Sequence, residues 1–87
     1  MLRVVAHELE HGNIDDFSWD LLEPYYRPTQ YRGVQQLQGV HREVDDPNMP
    51  SDEIYEVDDS LAGEFERRAQ ELSKKYRVQV TSYRRRF

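Results

Sequence analysis

The chain has 87 residues, enough for one domain with a thin core, and it contains no cysteine, which excludes disulfides, thiolate zinc sites and a cysteine nucleophile. Hydrophobic residues make up 37% and charged residues 33%; no apolar run approaches a membrane span, and MLRVVAHELEH meets charge too soon for a secretory leader, so a cytoplasmic home is expected. The net charge of −5 is split: residues 1–60 hold fourteen Asp or Glu against four Arg, residues 61–87 three Glu against eight Lys or Arg, and the acidic total argues against direct nucleic-acid binding.

Residues 2–10, LRVVAHELE, fit a strand with Leu2, Val4 and Ala6 on one face, or a helix with Leu2, Val5, Ala6 and Leu9 on one side and Gly12 as its stop. The strand reading is preferred. Residues 77–84 also read as a strand, and a strand needs a neighbour for its backbone groups.

His7, Glu8, Leu9, Glu10 and His11 form H-E-x-x-H, which resembles the zinc-metallopeptidase (zincin) motif. That resemblance implies His7 and His11 as zinc ligands, Glu8 as the base acting on bound water, and a third ligand from His41, Glu43 or an Asp. Glu10 and Asn13 depart from the family pattern, which has an uncharged and an apolar residue there. The chemistry requires a helix, where histidines four apart share a face one turn apart. On a strand four residues span about 13 Å, too far for ligands that each approach a metal to about 2 Å.

Gly12 and Asn13 form a turn. Phe17, Leu21 and Leu22 then predict a short helix over 16–23, with Asp15, Asp16 or Ser18 as its N-cap and Pro24 as its end. In residues 24–33, PYYRPTQYRG, Tyr25, Tyr26 and Tyr31 alternate with Arg27 and Arg32 around Pro28, a pattern of residue types that carry binding energy at interfaces. Residues 33–44 fit a hairpin turning at Gln38 and Gly39, or a helix bearing Val34, Leu37, Val40 and Val44; the hairpin is preferred because Gly39 would weaken a helix interior.

From Glu43 to Asp59 there are eight acids and no base: Glu43, Asp45, Asp46, Asp52, Glu53, Glu56, Asp58 and Asp59. Residues 45–53 read as an acidic loop whose spacing does not match an EF-hand, and Ile54 to Val57 as a short strand. A long helix follows over 59–76, with Leu61, Phe65, Ala69, Leu72 and Tyr76 on one stripe, Asp58, Asp59 and Ser60 at its start and Lys74 and Lys75 at its end. In the last strand Val78, Val80 and Ser82 alternate with Gln79, Thr81 and Tyr83, before Arg84, Arg85, Arg86 and Phe87.

The expected fold is α+β: a small antiparallel or mixed sheet with the long helix across one face and a short second helix, similar in order to a split β-α-β arrangement. The leading functional expectation is a non-enzymatic protein-binding module without a cofactor. It docks on a larger protein with a basic surface, as an inhibitor or adaptor of a nucleic-acid-handling enzyme, a build common among phage-encoded inhibitors. The contact residues would be Glu43, Asp45, Asp46, Asp52, Glu53, Glu56, Tyr25, Tyr26, Arg27, Tyr31 and Arg32, with the acids standing in for a phosphate backbone. Zinc-dependent hydrolysis through His7, Glu8 and His11 is the alternative. A second alternative is self-association, as a homodimer joining basic C-terminus to acidic loop.

Overall fold

A computed structural model describes residues 1–43 and 52–84. In chain order the elements are β1 (Leu2–Glu8), α1 (Ile14–Leu22), β2 (Tyr26–Pro28), β3 (Gln35–Leu37), β4 (Val40–Glu43), β5 (Asp52–Val57), α2 (Ala62–Tyr76) and β6 (Val78–Arg84). Single turns of 3-10 helix, Glu23–Tyr25 and Asp59–Leu61, follow α1 and precede α2. The architecture is α+β, as the element order predicts, with α2 packed across the main sheet. No helix of the described residues is long and apolar enough to cross a membrane.

The main sheet has the order β4-β5-β1-β6, and every neighbouring pair is antiparallel. β5 and β6 flank β1, both antiparallel to it, so they run parallel to each other with α2 as their connection. β4 and β1 flank β5 in the same way, with α1 between them in the chain. The result is two interlocked split β-α-β units, the topology of ferredoxin-like sheets, with the two-stranded β2-β3 ribbon inserted between α1 and β4. The predicted pairing of the N-terminal strand with the C-terminal one is present, in the register Leu2 to Arg84 through Glu8 to Val78.

One apolar layer joins sheet and helices. Leu2, Val4 and Ala6 of β1, Tyr55 and Val57 of β5 and Val78 of β6 meet Phe17, Leu21 and Leu22 of α1 and Ala62, Phe65 and Ala69 of α2. Phe65 sits at the centre, its ring 5.8 Å from Tyr55 and 5.6 Å from Tyr25. Leu61, Leu72 and Tyr76 complete the predicted α2 stripe as partly buried residues at the margin of that core.

The two long-range crossings are pinned at one place. Leu9 N–H donates to Arg77 O at 3.1 Å and Asn13 N–H to Tyr76 O at 2.9 Å, tying the β1-to-α1 turn to the α2-to-β6 turn. Gly12 lies in that knot: a Cβ there would stand 2.3 Å from Arg77 O. Helix α2 ends on Arg77 in the left-handed region, φ 54°, where glycine is the usual residue.

Four local expectations are corrected. The strands on either side of Gln38 and Gly39 exist but do not pair with each other: β3 pairs with β2, and β4 with β5. Gly39, at φ 78°, carries the chain from one sheet to the other, with Gln38 N–H bonded to Tyr25 O and Gly39 O accepting from Asp58 N–H. Helix α1 begins earlier than predicted because Asn13 is its N-cap, its side chain accepting from Asp16 N–H at 3.0 Å. No side chain caps the start of α2; Asp59 instead pairs with the N-terminal amine at 2.8 Å. Asp52 and Glu53, read as loop, are the first residues of β5. Asp45 and Asp46 of the expected loop, and Arg85, Arg86 and Phe87, lie outside the described residues.

Candidate functional site

The alternation of β1, β4, β5 and β6 divides their residues between two faces. The inner face is the core. The outer face carries Arg3, Val5 and His7 from β1, His41 and Glu43 from β4, Asp52, Ile54 and Glu56 from β5, and Gln79, Thr81 and Tyr83 from β6. None of these outward residues is buried, and Val5 and Ile54 form a half-buried apolar centre opposite one another.

Among the described residues, three carboxylates and one guanidinium sit on that face. Arg3 Nη1 lies 3.2 Å from Glu56 Oε1 and 3.5 Å from Glu43 Oε1, so one cation is shared between two acids. Asp52 accepts a short hydrogen bond, 2.5 Å, from His7 Nδ1, and its carboxylate is largely covered. Among the described residues the face therefore carries more carboxylates than guanidinium groups around an apolar middle. That combination can attract a basic partner at a distance and hold it by apolar contact.

Two of the expected contact residues lie inside the fold. Glu53 points to the inner face and is 6% exposed; Arg42 clasps it with two bonds, Nε to Oε2 at 2.7 Å and Nη2 to Oε1 at 2.6 Å. A carboxylate in the core keeps its charge only with such a partner, so the pair joins β4 to β5 and leaves Glu53 nothing to offer a second protein. Tyr25, 5% exposed, packs on Phe65 with the Arg68 guanidinium 5.9 Å above its ring. Arg68 also donates to Leu21 O and Asp20 O, satisfying carbonyls at the end of α1.

The rest of the Tyr/Arg patch is on the β2-β3 ribbon and does not join the outer sheet face. Tyr26 is half-buried and its ring lies 6.1 Å from that of Trp19 on α1, which places it on the helix side of the sheet. Arg27 folds back to donate to Pro24 O and Tyr26 O. Tyr31 and Arg32 are exposed in the loop between β2 and β3, where the Thr29 hydroxyl bonds to Val34 O at 3.0 Å and holds the turn. The outer-face acids and the Tyr/Arg patch thus occupy separate surfaces.

The H-E-x-x-H residues are placed by a strand. His7 is in β1, His11 follows in a turn at φ 61°, and Glu8 Oε1 accepts from Ile14 N–H at 3.0 Å, so that carboxylate helps hold the start of α1. His11 faces solvent beside Glu10. The helix that the zinc reading requires is not formed by these residues, and among the described residues no three His, Asp or Glu gather as a metal site.

Burial pushes the Tyr55 hydroxyl far above the usual tyrosine range. Ser18 works slightly the other way without reaching hydrogen-bond geometry, and both hydroxyls are buried without a partner. The Tyr76 hydroxyl is also raised, chiefly because it donates to Asp20.

Sequence reasoning passed over Trp19, 62% exposed and the only tryptophan. A signal was present: on a helix whose inward residues are Phe17, Leu21 and Leu22, position 19 falls on the opposite side. Arg3 and Arg42 were also missed, because their roles depend on cross-strand neighbours far away in the chain. Comparison of the chain with protein-family models, with curated proteins and with solved structures finds no match.

Proposed function

We propose that this protein is a non-enzymatic docking module that binds a basic surface of a larger protein through the outer face of its main sheet. The observation that carries this reading is the three-to-one excess of carboxylates over guanidinium among the described residues of that face, around the pair Val5 and Ile54. A partner with Lys and Arg at its rim and an apolar centre would complement it. Charge would set the rate and register of association, and the apolar middle its lifetime. Glu43 is the most accessible of the three acids, and Asp45 and Asp46 follow it in the sequence. Ferredoxin-like topology is shared by many unrelated activities and adds nothing to this reading.

The test is capture from the native cell with tagged protein, followed by mass spectrometry, comparing the natural chain with the triple variant Glu43→Lys, Asp45→Lys, Asp46→Lys. A specific basic partner recovered with the natural chain should fall at least tenfold with the variant, and its recovery should decline with added salt. Undiminished capture by the variant would remove the outer face as the docking surface. Asp52 and Glu53 are left intact because their carboxylates hold His7 and Arg42.

A further inference from the structure

Between α1 and the base of the β2-β3 ribbon lies a cleft of about 230 Å³ lined by Asp15, Ser18, Trp19, Leu22, Tyr26 and Arg42. A water takes up roughly 30 Å³ of liquid, so the cleft has room for a side chain. Its walls are unusual for a surface. Trp19 leaves most of its indole in solvent, although burial of such a ring is favourable. Tyr26 stands beside it with the ring planes tilted by 34°, and Leu22, 1% exposed, is part of the lining.

Charge selects the occupant. Helix α1 carries Asp15 and Asp16 in its first turn and no basic residue in its last, and Glu23 follows it. Arg42 is the one cation among the described residues of the lining, and it makes two bonds to Glu53. An acidic occupant would face Asp15. A purely apolar one would strip water from the Asp15 carboxylate without replacing it. A guanidinium or ammonium on a long apolar stem meets the aromatic faces, the carboxylate and the apolar wall together.

We propose that this cleft receives an arginine or lysine side chain of the protein partner. The proposal deepens the docking reading and rests on the same basic partner, but it uses a different surface, on the helix side of the sheet.

Trp19 is the single tryptophan, so its emission reports on the cleft alone. The full chain is titrated at low ionic strength, into the millimolar range, with a five-residue glycine peptide bearing one central arginine. The same peptide with citrulline, equal in shape but uncharged, is the control. Saturable change in Trp19 emission with the arginine peptide, and none with citrulline, is the expected result. Tyr26→Ala should weaken binding about fivefold, Asp15→Asn should weaken it as well, and Tyr26→Phe, which keeps the ring, should leave it near the natural value. An equal response to citrulline, or no saturable response to arginine, overturns the proposal.

The two readings fail separately. If the arginine peptide binds but partner capture survives the charge reversal at 43, 45 and 46, the outer face is lost and the cleft stands. If capture obeys the charge reversal while the arginine peptide leaves Trp19 unchanged, the cleft alone is lost.

Discussion

Arg42 and Glu53 show how one buried charge sets the role of its neighbours. Glu53 is inside, and Arg42 spans from the core margin to solvent, so the pair is worth less than a wholly buried one. Arg42→Ala should cost about 2 kcal/mol, below the roughly 3–5 kcal/mol of a fully enclosed pair that loses one partner. Arg42→Ala combined with Glu53→Leu should recover most of that loss, because no carboxylate is then left alone; urea unfolding of the natural chain and the two variants measures both. Tyr55 and Tyr76 give a second expectation, at alkaline pH. Their folded pKa values lie above the unfolded one, so the native state holds the phenolic proton more tightly. Stability that depends on them is complete below the ordinary tyrosine value of about 10 and is lost as pH rises above it. Absorbance at 295 nm should show the buried Tyr55 phenol ionising together with unfolding. Tyr55→Phe should remove the larger part of that alkaline loss.

At the scale of elements, the fold depends on a contact between two turns. Residues 9–13 and 76–77 hold each other by backbone hydrogen bonds, and this fixes where α1 leaves the sheet and where β6 enters it. Gly12→Ala should therefore be severely destabilising, by about 3 kcal/mol or more, because the added carbon meets a carbonyl oxygen that both turns hold in place. Arg77→Gly should act in the opposite direction. The left-handed residue at the end of α2 suits glycine, and about 0.5–1 kcal/mol of strain is relieved, enough to raise the melting temperature by a few degrees in a domain of this size. Thermal unfolding followed by circular dichroism checks both signs. The periodicity of α2 and the alternation of β1 and β6 predicted their buried faces correctly. The hairpin expected over 33–44 was misread because both of its strands are real; their partners are decided by Tyr25 and Asp58, which bond to Gln38 and Gly39 across the chain.

For the molecule as a whole, the topology separates what the sequence had joined. Acids and the Tyr/Arg patch looked like one continuous docking segment, but the fold turns Glu43, Asp52 and Glu56 to the outer sheet face, Glu53 into the core, and Tyr26 against Trp19 beyond the helix layer. The charge reversal at 43, 45 and 46 and the arginine titration at the cleft are separate tests.

The sequence by itself determined the types of α1, α2 and β6, their inward stripes and the overall polarity of charge, because hydrophobic period and charge count are properties of neighbouring residues. It also held the condition for the zinc motif: once residues 2–8 pair as a strand, the histidines lose the spacing that chelation needs. Tertiary structure alone decided which carboxylates are available. Asp52, Glu53 and Glu56 are consecutive or nearly so, yet strand alternation sends them to opposite faces, and each is answered by a residue distant in sequence: His7, Arg42 and Arg3. Their availability depends on which strands lie side by side, and that is set by long-range packing of β1 between β5 and β6.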